Sequence, residues 1–505
     1  MHAAGVPKRR NIVRFDVVST VRSATVHNND LPNILRGLRE RVFAVESPTG
    51  LVQPPRPERG VFAQRLGPSV KALMRGARGC QPITSGKFLE HYKGAKRVRY
   101  AKAVQDNLEQ GGPQRHHAHL STFVKAEFIN LDLKPDPAPR VIQPRHPRYN
   151  AELGRFIQPL EFRLYRRIAR LCGGPTVMKG YNADQVGRIA CSAWRQFDEP
   201  CAVSLDASRF DQHVSEEALR TEHAVYKAAY SNASLDEREL LAKLLEWQVM
   251  NVGHARVAEG SVKYEVVGNR MSGDMNTALG NCLLMCLMVY SYCRTRGVGF
   301  RLLDNGDDAT VILERRDLQT FLGGLKEWFL EMGFTMKVEE PVFTLEQIEF
   351  CQTHPVRVGD EYRMVRNPYS ALSKDTCWKS PDLNSPQAAS NWLRAVGECG
   401  QSLCSGVPVM QAFYQHLMRY PGRGRAQGFG DKQSGFERME QGMSRAPVPV
   451  EATTRFSFWL AFGLTPDVQV ALETKLASLP LVDLHRPWIE ADSLNPTVLP
   501  IHFDC

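Results

Sequence analysis

The chain has 505 residues, of which 43% are hydrophobic and 23% charged, with a net charge of +10 and a pI near 9.0. This composition excludes a disordered polymer and a short disulfide scaffold, and the length allows two or three domains or subdomains around a sizeable core. The basic balance points to a polyanionic partner.

The first residues, MHAAGVPKRRNIVRF, carry basic groups with no apolar stretch behind them, so no secretory signal is expected. Residues 1–120 alternate short apolar patches with basic and Pro/Gly-rich stretches such as LVQPPRPERG at 51–60. That pattern suits an extended, surface-hugging region better than a compact domain. Basic residues gather in KFLEHYKGAKRVRYAKA (87–103) and KPDPAPRVIQPRHPR (134–148). Either run alone reads as a solvated face; together, with Tyr and Pro interleaved, they fit a phosphate-lined channel. Arg-His-His-Ala-His at 115–119 has no cysteine near it, and no metal is expected there.

Helical periodicity follows a Pro-rich lead-in over 150–175, and CAVSLDASRF at 201–210 reads as a buried strand running into a turn. Residues 215–249 look helical, with Leu219, Val225, Ala228, Leu240, Leu244 and Trp247 facing inward. A β-like pair over 253–267, a loop GNRMSGDMNT and a long apolar helix to about Arg294 come next. The apolar run 278–290 is too short to span a bilayer and contains Asn281, so the chain is expected to be soluble by itself. A hairpin at 299–314, a helix at about 317–331, a strand GFTMKVE and a second hairpin at 348–365 follow. After residue 370 the pattern is mostly helical, broken by a Gly-rich loop at 421–442, and the last 55 residues look helical and then extended. The twelve cysteines are scattered, several in apolar contexts (Cys191, Cys201, Cys282, Cys286, Cys293), with no CxxC pair; they read as reduced core residues.

From residue 201 the order strand, helix, helix, strand, strand, helix, strand predicts an α+β split βαβ plan, one antiparallel sheet backed by helices. Within it, Asp304-Asn305-Gly306-Asp307-Asp308 is flanked by FRLL and ATVIL, which places adjacent carboxylates at a hairpin tip. Asp206 ends the strand AVSLD, so two neighbouring strands would bring Asp206 and Asp307 together as metal ligands, with Asp308 beside them. Such a carboxylate set suits Mg²⁺ (Mn²⁺ can substitute), a hard ion that joins protein oxygens to substrate phosphates in nucleotidyl transfer. Asp206 can also be a helix N-cap. Asp211 lies five residues on, and Ser272-Gly273-Asp274-Met275-Asn276-Thr277 precedes Asn281. Thr277 and Asn281 share a helix face, and with Asp211 they could hydrogen-bond a ribose 2′ hydroxyl; simple helix capping is the alternative.

Taken together, Asp206-x₄-Asp211, Ser272-Gly273-x₃-Thr277-x₃-Asn281 and Gly306-Asp307-Asp308 resemble motifs A, B and C of viral RNA-dependent RNA polymerases. The wording DASRFDQHV, MSGDMNTALGN and NGDDATVI is similar to the tombusvirus family of plus-strand RNA plant viruses and their umbravirus-like relatives. FVKAEF, KPDPAPRVIQPRHPRYNAELGRFIQPLE and IEFCQTHPV extend the likeness over roughly residues 20–375. The resemblance implies a right-hand polymerase fold: an N-terminal extension and fingers over 1–200, a palm over 201–370 with a fingers insertion at about 212–266, and a thumb over 371–505. It implies that Lys125, Lys134 and Arg140 of motif F hold the triphosphate, and that Ser272 and Gly273 join Asp211, Thr277 and Asn281 as nucleotide-binding residues. Lys337 matches the motif D lysine that protonates the departing pyrophosphate, with a plain surface lysine as the alternative, and Phe350-Cys351-Gln352 matches motif E.

The implied partners are an RNA template and its nascent copy, NTPs and a viral membrane-anchoring replication protein, with no DNA. The implied location is host cytoplasm, in membrane-associated replication complexes reached through that partner. In this family the polymerase is often a readthrough or frameshift extension of a shorter protein, and the first residues here do not resemble a membrane anchor. A reverse transcriptase would carry a bulky aromatic after the first metal strand, and Phe210 is near. Asp211 and Asn281, however, favour ribonucleotides. A non-catalytic RNA-binding protein would have lost a metal carboxylate, and none is lost.

Overall fold

Apolar runs far apart in sequence meet in one sheet that is buried on both faces. The computed structural model describes residues 9–10, 12–15, 17, 24–379, 385–423, 439–484 and 489–491. The sheet holds β1 (Pro200–Ala207), β2 (Phe300–Asp304), β3 (Asp308–Glu314) and β4 (Met336–Val338) in the order β2-β3-β1-β4, antiparallel throughout. Side chains alternate across a strand. Cys201, Val203, Leu205, Leu302, Val311 and Leu313 therefore enter one core, while Ala202, Leu303 and Ile312 enter the other. This is the expected α+β plan, and burial on both sides explains why the strands read as nearly unbroken apolar runs.

The first face is covered by α1 (Val61–Ala77), α2 (Pro147–Leu171), α3 (Glu216–Ala229) and α4 (Thr277–Arg296). Every residue of α4 from Leu279 to Val289 is buried, so the apolar run is a core helix, apolar on all sides because it is packed on all sides. No described helix is long and apolar enough to cross a membrane. In α2, Pro159 lacks an N–H and leaves the Arg155 carbonyl without its helical donor; the Ile83 N–H takes that place at 3.0 Å. The second face meets the helix Ala183–Trp194, the hairpin Thr353–Val358/Glu361–Arg366 and the helix Pro386–Cys404.

The N-terminal region departs from the extended form its composition suggested. Among the described residues two parts of it are extended: Ile12–Arg14 pairs with Cys377–Trp378 and Ile489–Ala491, and Ala24–Thr25 with Ile129–Asn130, while the hairpin Val45–Ser47/Gly50–Val52 leads into an irregular stretch at 53–58, as LVQPPRPERG suggested. Between and beyond these lie helices at Leu31–Leu38, Val61–Ala77, Ser85–Glu90 and Gly94–Glu109. Phe62, Leu66, Val70, Leu73 and Ala77 recur at helical spacing and are buried in the same core as the sheet. Pro68 and the surrounding basic residues mask that period in the sequence.

Two expected helices are broken. Residues 215–249 form α3 and a second helix, Leu235–Glu246, whose Ser234 cap accepts from the Glu237 N–H at 3.3 Å. Leu219, Val225, Leu244 and Trp247 are buried as expected, but Ala228 and Leu240 are half-buried, and Ala229 and Leu241 take the inward places. The helix at 317–331 divides into Leu318–Leu322 and Leu325–Glu331 at Gly323-Gly324, where Gly324 has φ +80°. The pair Met250–Val257/Gly260–Val267 joins Leu120–Ser121 in a sheet of its own. Of the Gly-rich stretch 421–442, residues 424–438 lie outside the described residues. The chain after it is helical at Ala452–Phe462 and Pro466–Ser478 before the short strand at 489–491.

Leu66 is fully buried in α1. Its truncation to Ala is expected to cost about 2–5 kcal/mol, as for a packed core leucine. Denaturant unfolding of Leu66→Ala beside wild type checks this; a loss under about 0.5 kcal/mol, as at a surface site, would return residues 61–77 to a surface role.

Candidate active site

The sheet register gathers the acidic residues. Asp308, the first residue of β3, stands opposite Asp206 on β1, and Lys337 on β4 stands opposite Asp206 from the other side. Between β2 and β3 the turn passes through Gly306 at φ +107°, a left-handed conformation that needs glycine, and exposes Asp307 at the tip. Lys179 donates to both the carbonyl and the side-chain oxygen of Asn305, at 2.9 and 2.8 Å, and so clamps this turn. Asp304 differs from its neighbours: it is buried near the Cys282 and Cys286 thiols, and burial pushes its carboxyl up to about 8. Asp304 thus belongs to the core beneath the tip.

The carboxylates at the tip repel one another. Burial, then the charges of Asp307 and Asp206, push Asp308 up to about 6. Asp206 is raised by burial and by Asp307. None of the three has an ion-pair partner among the described residues, and no group of three His, Cys, Asp or Glu side chains is gathered at ligand spacing there. Crowded hard oxygens, with the charges of Lys337 and Lys134 partly offsetting Asp206 but no ion pair closed, fit a divalent cation such as Mg²⁺.

Asp211 follows Arg209, whose φ of +51° turns the chain sharply after β1. Both Asp211 oxygens accept from one loop and helix start: Ser272 Oγ reaches Oδ2 at 2.6 Å and Asn281 Nδ2 reaches Oδ1 at 2.8 Å. Burial raises the Asp211 carboxyl while these two donors pull it down. Thr277 is turned otherwise: its hydroxyl donates to the Met271 carbonyl at 2.9 Å and closes the loop on itself. Gly273, at φ +131°, passes the backbone of Pro144, where a Cβ would stand 3.1 Å from Cα and N. The close approach that this glycine permits is to the chain's own backbone. Phe210 packs on Phe334, with ring centroids 4.8 Å apart, and is buried.

One cavity of about 950 Å³ connects these groups to a basic wall. Asp206, Asp211, Asp307 and Ser272 line it together with Lys134 and Arg140. Lys125 and Arg140 share the Glu127 carboxylate, at 3.2 and 3.4 Å. Arg41, Arg209 and Lys374 also line the cavity, although nothing in the sequence had singled them out. Arg41 is lowered by burial and by the charges of Arg209 and Arg140, and Lys374 by burial and by Arg366. Arg209 lies inside DASRFD, and its place between two carboxylates was the available signal. Lys337 is exposed outside the cavity, paired with Glu339 at 3.0 Å, which raises it. Gly273, Thr277, Asn281 and Asp308 stand behind or beside the lining residues. Every described cysteine is free, and all but the half-buried Cys351 are buried.

The sequence pattern of a family described as viral RNA dependent RNA polymerase matches residues 1–482. The RNA-directed RNA polymerase of tobacco necrosis virus (strain A) is 44% identical over 97% of this chain and 66% of its own length. The polymerase of maize chlorotic mottle virus is 44% identical over 92% of this chain and 48% of its own length. That of tomato bushy stunt virus (strain Cherry) is 43% identical over 95% and 58%, respectively. The chain thus spans about half to two-thirds of the length of these relatives.

The raised Asp308 carboxyl sets a pH dependence. Its protonated form stabilises the folded, metal-free chain fully below the ordinary carboxylate pKa of about 4, and that contribution is lost as pH rises through about 6. Asp308→Asn is therefore expected to raise the metal-free melting temperature by a few degrees at pH 7.5 and to change it little at pH 4.5. Thermal denaturation at the two pH values checks this, and equal shifts at both would contradict it.

Proposed function

The chain belongs to the viral RNA-dependent RNA polymerase family, and from that premise we propose that it copies a plus-strand viral RNA from NTPs. The observation that carries this reading is a single cavity lined by both signs of charge, with carboxylates that include Asp206, Asp211 and Asp307 and cations that include Arg41, Lys134, Arg140, Arg209 and Lys374. A nucleoside triphosphate with its divalent cations has the complementary charge. In the proposed right-hand arrangement the central sheet is the palm, the N-terminal region forms the fingers and the region after 371 the thumb. Asp206, Asp307 and Asp308 would hold Mg²⁺ or Mn²⁺, which supplies charge stabilisation at the transferring phosphoryl group and activation of the attacking hydroxyl.

The protein's own groups do the rest. Lys134 and Arg140, with Lys125 behind them on Glu127, bind the triphosphate; arginine offers a fork to phosphate oxygens and lysine a point charge. Asp211, aligned by Ser272 and Asn281, keeps lone pairs for a ribose 2′ hydroxyl. Thr277 and Gly273 shape the loop that presents Ser272. Lys337, opposite Asp206 in the register, is the proposed proton donor to pyrophosphate. Template and nascent RNA are the macromolecular partners. A membrane-anchoring viral protein would place the complex on cytoplasmic membranes. Phe210 lines the cavity but is buried, with its ring packed on Phe334.

Template-dependent incorporation of labelled NTPs with Mg²⁺ or Mn²⁺ tests the reading. Asp307→Ala is expected to lose about 10³-fold in rate, several kcal/mol of transition-state stabilisation, while RNA binding is retained. Unchanged synthesis by that variant would remove the assigned site, and a preference of the wild type for dATP over ATP would replace RNA synthesis by reverse transcription.

A further inference from the structure

The proposed sugar-reading pair, Asp211 and Asn281, rests on a second layer of side chains. Asn281 has two chemically different ends, and only one orientation serves Asp211. Its Nδ2 donates to Asp211 Oδ1 at 2.8 Å, while its Oδ1 accepts from Arg270 Nε at 3.1 Å. A guanidinium carries donors only, so Arg270 must face the amide oxygen and thereby turns the amino group toward Asp211. The Arg270 backbone N–H also donates to the Asp211 carbonyl at 2.8 Å, so one residue is tied to both members of the pair.

Arg270 is itself immobilised. Its two terminal nitrogens meet the two carboxylate oxygens of Glu222 on α3, and both side chains are fully buried. Asn276 Nδ2 donates to Glu222 Oε1 at 2.7 Å, and Gln248 donates to the Asn276 oxygen at 2.8 Å, which holds the carboxylate in place. Room for this fork comes from Gly280, inside α4. A Cβ there would stand 2.5 and 2.6 Å from the two Glu222 oxygens, besides overlapping the guanidinium. A glycine in a helix interior costs about 0.5–1 kcal/mol relative to Ala. Here it gives the ion pair passage.

We propose that Arg270, locked by Glu222 and admitted by Gly280, is a positioning residue that sets the ribose preference by fixing the Asn281 amide. The proposal rests on the reading of Asp211, aligned by Asn281, as the group that meets the 2′ hydroxyl. Charge neutralisation of Glu222 alone would be met by a lysine; holding Asn281 at the same time requires the Nε–H of a guanidinium.

The test compares kcat/KM for ATP and dATP in wild type, Arg270→Lys, Asn281→Ala and the double variant. Arg270→Lys keeps the buried charge pair and is expected to lower the ATP-over-dATP ratio about tenfold, the worth of about one hydrogen bond. A purely structural role would lower both rates together and leave the ratio. Because Arg270 acts through Asn281, the double variant should discriminate no worse than Asn281→Ala alone. An unchanged ratio in Arg270→Lys beside a lowered one in Asn281→Ala overturns this proposal and leaves the sugar reading standing, as do additive losses in the double variant. An unchanged ratio in Asn281→Ala removes the sugar reading and the proposal with it. Should Arg270→Lys fail to melt cooperatively, Gly280→Ala displaces the same fork and is expected to give the same loss, again absorbed by Asn281→Ala; an unchanged ratio there overturns the proposal.

Discussion

The antiparallel register that sets Asp308 opposite Asp206 is the constraint on which the site depends. Left to themselves, neighbouring carboxylates would move apart; burial first, and then the charges of Asp307 and Asp206, raise Asp308 to about 6. They stay together because the strands beneath them are buried on both faces. A slip of one residue would turn Val203, Leu205, Val311 and Leu313 from one core into the other, and the packing on both sides would have to be remade. The hydrophobic cores thus hold the acidic residues in a geometry their charges disfavour, and a bound cation is what that geometry suits.

The rest of the molecule places opposite charge around this point. Segments far apart in the chain supply the basic wall: Arg41 near the start, Lys134 and Arg140 from late in the N-terminal third, Arg209 after β1 and Lys374 beyond the second hairpin. Burial and mutual repulsion lower Arg41, so this wall too is held against its own charge. The N-terminal strand at 12–14, pairing with 377–378 and 489–491, ties the chain's beginning to its far end. A cavity lined by both signs of charge is complementary to the ligand proposed for it, which carries both.

Legibility followed the length scale of the interaction. The hairpin at 299–314, the strand ending at Asp206 and the apolar helix after Thr277 were readable because each is specified by its own side-chain period. Residues 61–77 were not, since their apolar face is interrupted by Pro68 and by cations, and only packing on α2, α3 and α4 makes the helix. The glycines at 273 and 280 also concealed their purpose. One lets a loop pass Pro144 and the other lets a buried ion pair pass a helix, and both neighbours are distant in sequence.

The sequence by itself determined the chemical kinds of residue and their order: carboxylates at Asp206, Asp211, Asp307 and Asp308, the Ser-Gly loop, and basic runs upstream. Those are local, since strand period and turn chemistry act over a few neighbours. Only the tertiary structure decided that Thr277 closes its own loop, that Lys337 stands outside the cavity, and that Arg41, Arg209 and Lys374 stand inside it. It alone brought Glu222 and Arg270 together behind Asn281. Distances between side chains dozens of residues apart are set by how the cores pack, and no local pattern encodes them.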